Sequence, residues 1–161
     1  MKITILAVGK IKEKFFTDSV GEYSRRLSRY CSLEIREVAD EATPDKASPA
    51  MQALILEREG ERLIRVLDRF PGACVIALAI DGKGYDSIGF SDYLSRLQVQ
   101  GCSHLVFVIG GSLGLSMRVL DRAHERVSFS RMTFPHQLMR VILLEQVYRA
   151  MRIAHGEPYH K

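Results

Sequence analysis

The sequence predicts an α/β fold: one domain with a mostly parallel sheet flanked by helices. Strand and helix patterns alternate along the 161 residues, which is typical of this class. Residues 73–80 and 104–109 are almost entirely apolar, as expected of strands buried on both faces of a parallel sheet. Glycine-containing segments follow both runs and allow sharp turns toward the next helix.

The first half of the chain gives two strands and two helices. Residues 2–8 form an apolar run and predict the first strand, and residues 12–29 place apolar side chains at helical spacing. Alternating apolar and charged residues at 33–38 predict a shorter strand. Residues 40–49 are polar, contain two prolines and predict a loop. Residues 50–70 predict a charged amphipathic helix that Pro71-Gly72 ends.

The second half repeats the alternation. Residues 73–80 predict a strand and residues 81–84 a turn. Helices are predicted at 88–100 and 116–125, on either side of the strand at 104–109. Residues 127–134 are mixed and predict a short strand entering a loop. Pro135 suits the first turn of a final helix to residue 154, because its missing N–H would be unpaired there anyway.

Composition bounds the partners and the compartment. Net charge is +4; residues 1–30 carry seven basic and three acidic side chains, whereas residues 31–80 carry six and nine. Basic ends favour an anionic partner such as nucleic acid, and ordinary solvated charge explains the same numbers. No apolar run approaches the roughly 20 residues needed to span a bilayer, and the run at 3–8 is too short for a signal-peptide core. We expect no membrane association and a cytoplasmic protein.

The three cysteines favour reduced, buried thiols. Cys31, Cys74 and Cys102 are odd in number and widely spaced, which disfavours a disulfide or a metal site. The histidines show no zinc-ligand spacing, so we expect no metal.

The segment Gly110-Gly111-Ser112-Leu113-Gly114 directly follows a predicted strand. Ligands of open α/β sheets bind outside the carboxyl ends of strands, so this turn and the one at 81–84 predict one pocket. The segment matches neither G-x-G-x-x-G nor a phosphate loop with its lysine. A plain strand-to-helix turn explains it equally well.

The last helix is apolar on more than one stripe, which requires burial on two sides. One side would cover the sheet. The other side predicts a two-fold dimer, with a central helix of a monomer as the alternative.

Several separated stretches together resemble the RlmH family of SPOUT-type methyltransferases. The similarity is carried by the opening MKITILAVGK, by VFVIGG at 106–111, by SFSRMTFPHQ at 128–137, by EQVYRA at 145–150 and by the ending PYHK. The resemblance covers the chain from first residue to last.

This resemblance implies a fold, a reaction and a site. The fold would carry a C-terminal trefoil knot, and the protein would act as a homodimer on ribosomal RNA within the assembled ribosome. The reaction would move a methyl group from S-adenosylmethionine to N3 of a pseudouridine in the large-subunit RNA. By position, the cofactor-binding residues would be Leu78, Gly110, Phe129, Ser130, Arg131, Met132, Thr133 and Phe134.

Methyl transfer from a sulfonium needs an aligned nucleophile, and a protonated imide nitrogen benefits from a nearby base or cation. His160 is the candidate base, and Tyr159 would stack on or orient the substrate base. A frayed terminus is the alternative interpretation of this tail. His136, Arg140, Lys161, Lys10 and Lys12 are candidate contacts to the substrate or to RNA phosphate.

Two other functions fit parts of the sequence. One is a nucleotide-binding domain that uses the glycine turn for phosphate, although no phosphate-loop lysine is present. The other is a ribosome-binding factor of the same fold without catalytic activity. Stabilisation by S-adenosylmethionine but not by ATP would favour the methyltransferase over both.

Overall fold

Five strands and five helices alternate in the computed structural model, which describes all residues from Met1 to Lys161. The strands are β1 (Lys2–Val8), β2 (Ser32–Val38), β3 (Cys74–Gly84), β4 (His104–Ile109) and β5 (Glu125–Ser128). The helices are α1 (Lys14–Leu27), α2 (Pro49–Leu67), α3 (Ser87–Val99), α4 (Met117–Arg122) and α5 (His136–Ala154).

The five strands form one sheet in the order β2-β1-β4-β3-β5, and every pair is parallel. The expectation of an α/β fold with a mostly parallel sheet is therefore confirmed. β4 is the central strand, with β1 on one side and β3 on the other. Five of its six residues are buried, and the first, His104, is half-buried. All strand carboxyl ends consequently meet along one edge of the sheet.

Side chains of each strand alternate between two hydrophobic layers. Ile3, Ile5 and Ala7 of β1 join the larger core beneath α1, α3 and α5. Leu6 and Val8 point the other way into the smaller core beneath α2 and α4. This period of two places helices on both faces, as buried parallel sheets require.

The predicted turn at residues 81–84 is wrong, because β3 continues through it to Gly84. β3 pairs with β5 at Leu78 and again at Lys83, with a register shift between them. At Gly82, an added Cβ would lie 2.7 Å from the backbone of Val127, so glycine allows β3 and β5 to touch there. The bulge absorbs the residues that the sequence pattern assigned to a turn.

The predicted helix at 116–125 is too long. α4 ends at Arg122, and β5 begins at Glu125. His124 explains the change of direction, because its backbone N–H donates to the Val75 carbonyl and its Nδ1 accepts from the Val75 N–H. These bonds turn the chain from the helix into the strand beside β3.

The two-sided burial of α5 is satisfied within one chain. α5 packs against both α1 and α3 while it covers β4. The alternative of a central helix therefore accounts for its apolar pattern, and a homodimer stays a prediction. The trefoil knot that the resemblance implies also stays a prediction.

The expectation of three reduced thiols is wrong for two of them. Cys74 and Cys102 form a disulfide, with Cα atoms 6.2 Å apart, and Cys31 is free and buried. Residue spacing hides this pairing because 28 positions separate the two cysteines, whereas β3 and β4 are neighbours in the sheet. That adjacency brings the start of β3 beside the residues that lead into β4.

None of the helices combines the length and the apolar character that crossing a membrane would demand.

Candidate functional site

A cavity of about 680 Å³ lies at the carboxyl edge of the sheet. Three segments enclose it: the end of β3, the glycine turn after β4 and the chain from β5 to α5. Its size is that of a small-molecule site, and its position is the one that open α/β sheets use for ligands.

Most residues that the resemblance assigns to a cofactor line this cavity. They are Leu78, Gly110, Phe129, Ser130, Met132, Thr133 and Phe134. Arg131 belongs to the same segment but is exposed and lies outside the lining. The single pocket predicted from two strand ends therefore exists, although β3 supplies its residues 78–80 rather than the segment 81–84.

The glycine turn is shaped by close backbone contacts. A Cβ at Gly110 would overlap the Gly114 carbonyl, and Gly114 itself has a φ of +82°. Gly111 and Gly114 form an isolated bridge that closes the turn. Glycine is thus required at position 110 by the loop, before any ligand is considered.

The segment after β5 is held open by local hydrogen bonds and one aromatic contact. The Ser128 hydroxyl donates to the Ser130 carbonyl, and the Ser130 hydroxyl accepts from the Met132 N–H at 2.9 Å. Phe129 packs edge-on against Phe90 with ring centroids 5.6 Å apart. Met132 remains 72% exposed at the rim of the cavity.

The lining contains no lysine, arginine, aspartate or glutamate. Its walls are apolar side chains, glycine backbone and the hydroxyls of serine and threonine. A triphosphate needs cations or a metal with its ligands, so this cavity disfavours the nucleotide-binding alternative.

His136 begins α5 and forms part of the cavity wall. Burial, with a smaller contribution from the Arg140 charge, lowers the pKa of its imidazole. Its Nδ1 is buried and has no hydrogen-bond partner. The ring is therefore neutral at pH 7 and offers one free ring nitrogen near the ligand space.

Arg140 does not reach the surface. Its side chain is 1% exposed, pairs with the Glu37 carboxylate and donates to the Val8 and Gly9 carbonyls. This burial argues against the contact with RNA phosphate that the sequence raised, because the guanidinium has no free face for it.

The C-terminal tail lies along α5, away from the cavity. The Tyr159 hydroxyl donates to Glu145 at 3.1 Å, and its ring packs on Tyr148 and beneath the Arg149 guanidinium. Burial, followed by the Glu145 charge, raises the pKa of Tyr159 to about 12. Glu145 is nine positions beyond His136, or about 13 Å along the helix axis. Tyr159, His160 and Lys161 are all outside the lining, and the last two are exposed.

Lys10 and Lys12 are exposed beside the start of α5. The Lys12 N–H donates to the Gln137 side chain at 2.9 Å, and Gly9 lies against the His136 ring. Both lysines therefore flank the sheet edge that holds the cavity.

Sequence analysis missed Glu59, which is 3% exposed and lies beside the glycine turn. A signal was present: Glu59 is four residues from Ile55 and four from Leu63, both buried on α2. Helical spacing therefore places a carboxylate within an apolar stripe, where an unpaired charge is costly.

Two solved structures with a comparable fold are described as a probable methyltransferase and a probable methylase. One, a probable methyltransferase from Bordetella pertussis Tohama I, matches with a TM-score of 0.56 at 15% identity, over 93% of this chain and 96% of that one. A probable methylase family protein from Haemophilus influenzae Rd KW20 matches with a TM-score of 0.55 at 12% identity, over 99% and 70%. At these identities the likeness concerns the fold alone.

The family model described as "Predicted SPOUT methyltransferase" matches residues 1–160, so the chain belongs to the SPOUT methyltransferase family. Within that class, two full-length relatives carry the same name. A Clostridium botulinum (strain Kyoto / Type A2) protein named "Ribosomal RNA large subunit methyltransferase H" is 55% identical over all of both chains. A Bifidobacterium adolescentis protein of the same name is 54% identical over the same extent.

Proposed function

We propose that this chain methylates N3 of a pseudouridine in large-subunit (23S) ribosomal RNA, with S-adenosylmethionine as the methyl donor. The observation that carries the proposal is the convergence of Leu78, Gly110 and residues 129–134 on one cavity at the carboxyl edge of the sheet. Full-length relatives named as methyltransferases of the large-subunit ribosomal RNA support it.

The residues present fit the donor. Apolar walls such as Leu78, Val127 and Phe129 suit the faces of an adenine ring, and hydroxyl and backbone groups between them suit a ribose. Neutral surroundings fit a ligand without phosphates. When bound, S-adenosylmethionine would supply an electrophilic methyl group on its sulfonium.

The proposed role of the cavity is positioning. Gly110 and Gly111 keep side chains out of the space beside β4, and the hydrogen-bonded segment 128–132 fixes the opposite wall. Holding reactants at near-attack geometry contributes roughly 7–11 kcal/mol in favourable cases.

His160 is the proposed base for the imide proton. It is exposed and forms no hydrogen bond in this chain, so its imidazole is free to meet a substrate. Tyr159, whose raised pKa keeps it protonated at neutral pH, is the proposed positioning residue that holds the tail on α5. Lys161 would meet the RNA backbone next to them.

We infer that the tail serves the cavity of a second copy of the chain. Within one chain the Tyr159 clamp holds the tail about 13 Å along α5 from the cavity wall at His136. A homodimer that brings the tail of one protomer to the cavity of its partner would unite the proposed base with the proposed cofactor site, although the two are separated within one chain. Lys10 and Lys12 beside the cavity would then contact ribosomal RNA phosphates. Action on ribosomes places the protein in the cytoplasm.

The direct test is methylation of ribosomes from cells that lack this gene, with mass mapping of nuclease fragments. We expect a single added methyl on a pseudouridine, and a rate about 10²–10⁴-fold lower for His160→Ala, as for loss of a general base. His160 is exposed, so the variant should unfold at the same denaturant concentration as the wild type. Unchanged activity in His160→Ala would remove the tail from the mechanism.

Subunit mixing tests whether the tail acts on the partner's cavity. Gly110→Val should disable the cavity, because its side chain would overlap the Gly114 carbonyl and distort the glycine turn. An unfolding curve close to that of the wild type would show that the rest of this variant still folds. His160→Ala should inactivate the tail. If the site combines two chains, an equal mixture of these inactive variants should regain about a quarter of wild-type activity, because half of the dimers carry one intact site out of two. Activity that stays absent in a mixture shown to exchange subunits contradicts this arrangement.

A further inference from the structure

The C-terminal tail turns back along the helix that precedes it. α5 ends two residues before Gly156, whose φ of +65° lets the chain change direction there. The Glu157 N–H donates to the Arg152 carbonyl at 2.9 Å and closes this turn. Tyr159 then reaches Glu145, which lies nine positions before the last residue of α5. The tail therefore returns from the end of α5 toward its middle.

The Glu157 carboxylate fastens the start of this tail to two helices. It pairs with the Arg152 guanidinium of α5 at 2.6 Å and accepts a hydrogen bond from the Tyr30 hydroxyl, in the turn that follows α1. Arg152 also donates to the Pro158 carbonyl at 3.1 Å and to the Tyr30 hydroxyl at 3.4 Å. We call the three side chains of Glu157, Arg152 and Tyr30 the Glu157 clamp.

The Glu157 clamp is only partly exposed to solvent. The Arg152 side chain is 17% exposed and that of Glu157 is 31% exposed. The Tyr30 ring packs edge-on against Tyr148 and His155, with ring centroids 6.0 and 5.0 Å away. The bond from the Tyr30 hydroxyl, helped by the Arg152 charge, holds the pKa of Glu157 below its ordinary value of 4.5. The carboxylate is therefore ionised at neutral pH and keeps its charge for Arg152.

The Tyr159 clamp holds the other end of the same tail. It consists of the hydrogen bond to Glu145 and the contacts of the tyrosine ring with Tyr148 and Arg149. These contacts form only if the chain first folds back along α5, which costs the conformational entropy of a free chain end. The Glu157 clamp fixes that fold-back before Tyr159 is reached. His160 follows directly and is exposed.

We propose that Glu157 is a positioning residue for methyl transfer, which folds the tail back on α5 and so holds His160 at a fixed place for the substrate. The inference rests on the proposed function for the role of His160. It adds the Glu157 clamp, all of whose residues lie outside the lining of the large cavity. Glu157 touches no reacting atom and acts through His160 alone.

A double-mutant cycle on the methylation rate tests this role. The assay is single-turnover methylation of ribosomes from cells that lack this gene. Glu157→Ala should lower the rate about 3- to 10-fold, as for the net loss of one hydrogen bond, and leave the KM for S-adenosylmethionine unchanged. In the His160→Ala background the same substitution should change the rate by less than about 2-fold, because the group that Glu157 positions is gone.

Glu157→Gln is the conservative variant. It loses the charge that pairs with Arg152 but keeps an acceptor for the Tyr30 hydroxyl. We expect its rate to lie between those of the wild type and Glu157→Ala. Tyr30→Phe, which removes only the hydroxyl, should lower the rate in the same direction.

Backbone ¹⁵N relaxation measures the order of the tail without any methylation. We expect lower heteronuclear NOE values at Tyr159 and His160 in Glu157→Ala than in the wild type, which indicates greater motion on the ps–ns timescale. Glu61→Ala is the matched control, because Glu61 pairs with Arg65 on α2, on the opposite face of the sheet. It should change neither the tail nor the methylation rate.

An equal loss of rate from Glu157→Ala in the wild-type and His160→Ala backgrounds overturns the inference, as does a tail whose mobility does not change. In both cases the wild type still methylates ribosomes, and the proposed function stands. If His160→Ala is as fast as the wild type, the inference fails together with the proposed role of the tail. If the wild type transfers no methyl group, the proposed function itself fails.

Discussion

Arg140 and Glu59 are both buried charged side chains near the carboxyl end of β1, yet their surroundings are opposite. Arg140, 1% exposed, has a carboxylate and two backbone carbonyls as partners. Glu59, 3% exposed, has one backbone N–H and leaves its second oxygen unpaired among other acids. Each residue keeps one buried polar atom without a partner, Nε in Arg140 and Oε2 in Glu59, but the Arg140 charge is paired with a carboxylate, whereas Glu59 forms no ion pair. The two residues therefore differ in charge pairing: Arg140 stabilises the fold through its ion pair, whereas Glu59 is a buried acid without an ion-pair partner beside a cavity.

The largest expected effect is the loss of stability in Arg140→Met. The substitution leaves the Glu37 carboxylate and the Val8 and Gly9 carbonyls without their buried donor. We expect the free energy of unfolding in urea to fall by about 3–5 kcal/mol. Arg131→Met, an exposed arginine on the neighbouring segment, should change it by less than about 0.5 kcal/mol. Similar stabilities for the two variants would end the structural interpretation of Arg140.

A smaller effect is expected when the partner of Arg140 loses its charge. Glu37→Gln keeps an acceptor of the same shape but removes the ion pair, so we expect a loss of about 1–2 kcal/mol in urea unfolding. Glu34→Gln is the control, because Glu34 lies on the same strand with the same 31% side-chain exposure but pairs with more exposed cations. It should cost about 1 kcal/mol or less. A double-mutant cycle with Arg140→Met should then show strong non-additivity for Glu37 and none for Glu34.

Hydrophobic periodicity predicted most of the strands and helices, but not the contacts that depend on which strands are neighbours. The runs at 2–8 and 104–109 and the helical spacing of residues 136–154 are long and regular, and their strands and helix lie where expected. The prediction of a turn at 81–84 was wrong because the bulge in β3 depends on the close approach of β5 at Gly82. No local sequence pattern encodes that approach. The Cys74–Cys102 disulfide was not predicted for the same reason, because its formation depends on which strands are neighbours in the sheet.

The site divides in the same way. The glycine turn after β4 was predicted as a ligand site from its place at a strand end, the segment after β5 was assigned through the family resemblance alone, and both line one cavity. Glu59 was overlooked because it lies on a helix that the pattern assigns to the core, and its free oxygen acquires meaning only beside Gly111. The burial of Arg140 was equally hidden, because its acceptors come from β1 and β2, more than a hundred residues away.

The subtlest expected effect is the pH dependence of stability at Glu59. Burial raises the pKa of Glu59 above its ordinary value of 4.5. The charges of Asp40 and Glu41 raise it further, whereas the hydrogen bond from the Glu41 N–H and the charge of Arg62 lower it. The neutral His136 lines the same cavity. A raised pKa in the folded state means that Glu59 is tolerated best when protonated, so its contribution to stability is present below pH 4.5 and is lost as pH rises through the folded-state pKa. Glu59→Gln cannot ionise. Relative to the wild type, its free energy of unfolding should therefore rise between pH 4.5 and pH 8, whereas Glu57→Gln, at an exposed position, serves as the control for loss of a carboxylate on this helix. If the difference in free energy of unfolding between Glu59→Gln and the wild type does not change across this pH range, the folded chain stabilises the ionised form of Glu59, as it stabilises the charge of Arg140.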